Sequence, residues 1–143
     1  MMKKILVLFF LFTSLNLFAQ ENWVEYYVNK SISLLGRTVP SDFQRLGGRE
    51  TGFVNDENIV VITENNIIVT AMIGDFFNCP HEAHEHNGFF YDYFETNNWQ
   101  FIATRHDGTI YFLNGIYSMI DIPRKRDDTF VTMIAFTRDR NLL

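Results

Sequence analysis

Three of the four histidines of this chain fall within six residues, in the run Cys79-Pro80-His81-Glu82-Ala83-His84-Glu85-His86. Imidazole and thiolate are ligands for Zn, Cu or Ni, so the chemistry such a run offers is metal capture. At about 100° per residue, a helix through it puts His81, His84 and Glu85 on one face, where two imidazoles and a carboxylate can chelate. The same helix turns His86 about 140° away from His81, toward Phe89, Phe90, Tyr93 and Phe94. A loop over residues 79–86 gives another set, in which Cys79, His81, His84 and His86 converge as four ligands. Gly88 leaves room for that alternative, because glycine weakens a helix interior by about 1 kcal/mol. The plainer reading is a solvated polar face with His86 at the edge of the core, since the spacing matches no metal-binding motif.

Signatures of catalysis are sparse. There is no Gly-x-Ser-x-Gly elbow, no phosphate-cradling glycine loop and no His-Glu-x-x-His helix. His106-Asp107 has the composition of half an acid–base pair, but with Gly108 it reads as a hairpin turn, where Asp serves the backbone. Asp75, Asp92 and Asp121 supply carboxylates that the sequence does not pair, so a small hydrolase ranks behind the other readings. No catalytic residue is assigned.

Arg124-Lys125-Arg126 is the one basic run, followed at once by Asp127-Asp128. A charged hairpin tip that blunts a sheet edge accounts for it. The sharper reading makes Arg124, Lys125 and Arg126 a contact loop for an acidic partner or an anionic glycan. Trp23, Tyr26, Tyr91 and Trp99 are residue types that anchor interfaces, although a small domain needs most of its aromatics for its core.

The elements that position these groups follow from periodicity. Val24, Val28, Ile32 and Leu35 recur at helical spacing over residues 21–35, and Gly36 suits the C-terminal left-handed position. Pro40-Ser41-Asp42 predicts a short second helical turn ending at Gly47-Gly48. The period then becomes two over residues 50–54, 59–63 and 67–73, separated by Asn- and Asp-rich turns. Helical patterning returns from Pro80 to residue 97. Strands are expected over 99–105 and 109–111 around the Asp107-Gly108 turn, with Asn114-Gly115 marking a bulge or second turn, and a last strand over 129–137.

The result is an α+β fold with order α-short α-βββ-α-βββ: a two-layer domain in which an antiparallel sheet of about six strands is covered by two helices. The segment from Leu35-Gly36-Arg37-Thr38 through Phe43, Leu46 and Gly47 is similar to the helix–Gly–turn–helix–Gly opening of small envelope proteins of the αα-βββ kind, including an outer-membrane assembly lipoprotein. The likeness is confined to that segment, lacks the lipid-bearing cysteine and brings no function with it.

Lys3 and Lys4, the apolar run Ile5 to Phe12 and the small Ala19 have the layout of a secretory signal peptide over residues 1–19, leaving a single α+β domain over 20–143. The apolar run is too short for a membrane span, which needs about 20 apolar residues. Removing residues 1–19 takes away Lys3 and Lys4 and makes the net charge more negative than the −5 of the whole chain, which disfavours nucleic acid as a partner. Cys79 is the only cysteine, so stability comes from packing and not from an intramolecular disulfide. The functional expectation is a periplasmic or secreted, non-enzymatic binding module with a macromolecular partner, most simply a protein. The alternative is a Zn, Cu or Ni protein built on residues 79–86. N-terminal sequencing of protein recovered outside the cytoplasm should begin within a few residues of Gln20; an intact Met1 on soluble cytoplasmic protein overturns the export reading.

Overall fold

The computed structural model describes residues 23–143; the expected signal peptide lies outside them. Helix α1 covers residues 23–34 and buries Val24, Val28 and Leu34 on one side. Gly36 ends it at φ +82°, and its N–H donates to the Ile68 carbonyl at 2.9 Å while Ile68 N–H donates to Arg37 O at 2.8 Å. That pair of bonds fixes the end of α1 to the start of a sheet strand. The short helix expected over residues 40–48 does not form. Phe43 N–H closes a turn onto Pro40 O, and Gln44–Arg45 becomes a two-residue strand, β1, paired with Val54 and Phe53. Ladder bonds to a neighbouring strand satisfy the backbone there in place of helical ones.

The strands that follow are β2 (Gly52–Val54), β3 (Ile59–Glu64) and β4 (Ile67–Phe77). Asn65 and Asn66 both take positive φ, 54° and 66°, in the two-residue β3–β4 turn, a conformation asparagine tolerates better than most residues. Helix α2 (Pro80–Thr96) is followed by β5 (Gln100–Thr104), β6 (Ile110–Leu113), β7 (Tyr117–Ile120), β8 (Arg124–Arg126) and β9 (Thr129–Thr137). All strands belong to one antiparallel sheet of order β1-β2-β3-β4-β9-β7-β6-β5, with β8 also on β9. The α+β class expected from periodicity is therefore what forms, with nine strands among the described residues where about six were expected. The added ones are short, β1 and β8, or come from splitting the region around Asn114-Gly115 at Gly115, φ +66°. Strand β4 runs four residues past its expected end because β9 pairs with it from Thr70 to Phe77.

Both helices lie on one face of the sheet. Trp23 of α1 packs against Phe89 and Phe90 of α2, with ring centroids 6.2 and 5.6 Å apart. Phe94 of α2 meets Trp99 at 4.7 Å, Phe112 at 5.1 Å and Phe136 at 6.1 Å. The sheet answers with Ile59, Val61, Ile68, Ala71, Ile73, Phe112, Ile120, Ile134 and Phe136, all buried. A one-residue register shift near Thr63 keeps Ile68 on the same side as Ala71 and Ile73. Phe90→Ala and Ile68→Ala remove fully buried side chains from this cluster, and each should cost about 2–5 kcal/mol in urea unfolding. Losses below about 0.5 kcal/mol for both would mean that the core lies elsewhere.

Candidate functional site

Helix α2 settles the geometry of the histidine run. It starts at Pro80, with Cys79 as its extended N-cap residue, so residues 80–86 are helical and the loop in which Cys79, His81, His84 and His86 converge is not adopted. His81, His84 and Glu85 are exposed, along the polar side of the helix. Among the described residues, no three side chains of His, Cys, Asp and Glu are grouped to hold a metal ion.

His86 points the other way, only 7% exposed, with its ring 5.6 Å from Trp23, 5.1 Å from Phe77 and 5.2 Å from Phe90. Its Nδ1 lies 3.4 Å from Thr132 Oγ1, and its Nε2 lies 3.8 Å from Asp75 Oδ2. Burial holds the imidazole below its ordinary pKa, opposed by the Asp75 charge and by a hydrogen bond with Asn87. Carboxylate, imidazole and hydroxyl in sequence have the composition of a nucleophile relay. The hydroxyl, however, belongs to a fully buried threonine that no substrate can reach.

Asp121 and Asp107, two carboxylates visible in the sequence, do structural work. Asp121 sits in the break between β7 and β8. Its Oδ1 accepts from Thr109 Oγ1 at 3.0 Å and from Ile122 N–H at 2.9 Å, and its carboxylate takes two bonds of 3.1 Å from the Arg124 guanidinium. Its carbonyl accepts from Asn87 Nδ2 of α2 at 2.9 Å, which ties the helix to the break. Asp107 closes the β5–β6 turn by accepting from Thr109 N–H at 2.9 Å, a bond that holds its carboxyl below the usual range, and Gly108 takes φ +99°.

The basic run is therefore divided. Arg124 is drawn onto Asp121 and Asp107, while Lys125 and Arg126 are exposed and form no ion pair among the described residues. Register puts Arg124 and Arg126 on the face of Val131 and Thr129, and Lys125 on the face of Phe130.

The surface that residue-by-residue motif reading misses is the sheet face opposite α1 and α2, bordered only by the short 3-10 turn Arg140–Leu142. Alternate positions Val60, Ile62, Met72, Met119, Val131 and Met133 point there, and all are only partly buried. The available signal is the strand alternation itself: an antiparallel sheet facing water is expected to show polar residues at these positions, and here they are apolar. Met72 and Met119 flank Ala135 across β4, β9 and β7. On the same face, Arg105 lies over the Tyr111 ring at 5.0 Å and with Arg140, Tyr117 and Leu143 lines a recess of 160 Å³.

No family model matches this chain, and neither the curated proteins nor the solved structures contain a match to it. No helix among the described residues is long and apolar enough to cross a membrane.

The His86 environment gives a pH prediction. Its folded-state pKa is depressed from an unfolded value of about 6.5, so the unfolded chain binds the proton more readily. The stabilisation is present above about pH 6.5 and is lost as pH falls below it, with a slope of at most about 1.4 kcal/mol per pH unit for one proton. Urea midpoints measured from pH 7.5 to 5 should fall more steeply for the wild type than for His86→Phe. Parallel curves contradict the assignment.

Proposed function

We propose that this protein is a non-enzymatic docking module of the cell envelope or the extracellular space, and that it holds a partner protein on the sheet face opposite α1 and α2. The observation that supports this reading is the apolar composition of that face. Large contiguous apolar patches at a protein surface mark interaction sites, and on this face the partly buried residues surround Phe76, which is 58% exposed. Met72, Met119 and Met133 are all the methionines beyond Met2, and all three sit on this face. Methionine is flexible and polarizable, which suits a surface that must fit another protein. The face is bordered by Arg105 and Arg140 on one side and by Arg124 and Arg126 on the other, although the chain as a whole carries a net charge of −5. An apolar centre with a basic border fits a partner whose contact patch is apolar with acidic flanks.

The test uses Met72→Asp with Met119→Asp, placed on partly buried positions of the bare face so that the helix-side core is untouched. Wild-type protein should retain a partner from its own envelope fraction, the double variant should lose it while unfolding cooperatively as before, and His81→Ala with His84→Ala should retain it. Added salt should weaken retention, because the basic border is solvent-exposed. Unchanged retention by the methionine variant refutes the docking face. A concentration-dependent dimer that the same substitutions abolish assigns the face to a second copy of the chain and refutes the partner reading.

A further inference from the structure

On the opposite, helix-bearing side, a recess of 310 Å³ opens between α1, the β2–β3 turn and the C-terminal half of β4. Trp23 and Tyr27 from α1 and Phe77 from β4 form its aromatic wall, His86 of α2 contributes its ring, and Glu57 and Asp75 stand at its border. Trp23 and Tyr27 meet edge-to-face, 6.0 Å apart at 80°, so their ring planes enclose a corner and do not stack closed.

The charges around the recess do not balance. Glu57 is held by the Lys30 ammonium, which is pushed up to about 12 by that bond. Asp75 has no such partner among the described residues: its Oδ1 accepts from the Phe76 N–H at 2.8 Å, and its Oδ2 lies 3.8 Å from His86 Nε2. Among the described residues, no Lys or Arg pairs with Asp75. With His86 kept neutral at pH 7 by burial, one carboxylate charge remains uncompensated beside three aromatic rings. The Tyr27 hydroxyl registers the same field, its pKa raised first by burial and then by Glu57 and Asp75.

We propose that this recess binds an organic monocation, an alkylammonium or quaternary ammonium head group, with Asp75 as its counter-charge and Trp23, Tyr27 and Phe77 as its aromatic wall. Aromatic faces attract cations within about 6 Å through the ring quadrupole, and a half-buried carboxylate supplies the net charge that rings alone lack. A bare metal ion is excluded as the occupant by the donor set, one free carboxylate and a single imidazole, which falls short of the coordination such ions take. A neutral apolar ligand would leave Asp75 uncompensated. This site lies on the other side of the sheet from the docking face and stands independently of it.

Calorimetric titration of the full chain with choline and with butylammonium tests the proposal, with 3,3-dimethylbutanol as the uncharged isostere of choline and sodium chloride matching ionic strength. At least one of the two cations should bind saturably, with a dissociation constant on the order of millimolar, as expected for a small ligand. The alcohol should bind at least about tenfold more weakly, and Asp75→Asn, which keeps the acceptor for Phe76 N–H, should weaken the cation about tenfold. Tyr27→Leu should weaken it in the same direction, and Met72→Asp with Met119→Asp should leave it unchanged. Equal binding of choline and its neutral isostere, undiminished binding by a folded Asp75→Asn, or no binding of either cation up to about 50 mM overturns the proposal.

Discussion

Strand β9 enters the sheet between β4 and β7, and both layers of the fold depend on that insertion. Ile134 sits between Ile73 and Ile120, and Phe136 between Ala71 and Ser118. The second triplet explains why small residues stand in the middle of an otherwise bulky sheet. Ala71 and Ser118 leave the width that the Phe136 ring needs beneath Phe94 of α2. Ser118 Oγ is buried there and makes no hydrogen bond among the described residues. A larger apolar residue at either flank would overpack the ring against the helix.

Concentrating both helices on one side of β9 leaves each chemical feature on its own surface. The histidines of the polar α2 stripe face solvent. Asp75 and the aromatic corner occupy the end of the covered side, where α1 does not fully roof β4. The methionines occupy the bare side. One strand alternation produces the last two: Ile73 and Asp75 point toward the helices, while Met72 and Phe76 point away. A shift of one residue in the β4–β9 register would exchange the two sets, turning Ile73 and Asp75 to the bare side and Met72 and Phe76 toward the helices.

Much of the architecture is legible in the residues. Val24, Val28 and Leu35 mark α1, Pro80 marks the start of α2, and the period-two run over 129–137 gives β9 its full length. The short helix at Pro40 misleads because Ser41 and Asp42 are good caps, while the pairing of Gln44 and Arg45 with Phe53 and Val54 is non-local and leaves no local pattern. Strand order is illegible for the same reason, since nothing near residue 134 indicates that it will lie beside residue 73. Of the histidine run, helical spacing correctly separates His86 from His81, His84 and Glu85. It cannot show that Asp75 and Trp23 close around His86, because those residues come from two other elements. The bare apolar face is legible only once it is known which side the helices take.

The central position of β9 also dictates the order in which the sheet can be completed. Strands β1 to β4 form a meander, and β5 to β7 form another, each closed by short connections. Until residues 129–137 are available, each ends in an unpaired row of backbone groups, along β4 in one and β7 in the other. Such open edges recruit other strands indiscriminately. Joining them is the most non-local step of the fold, and long-range strand pairing is intrinsically slow. The interval before β9 docks is therefore the time at which this chain is most exposed to aggregation.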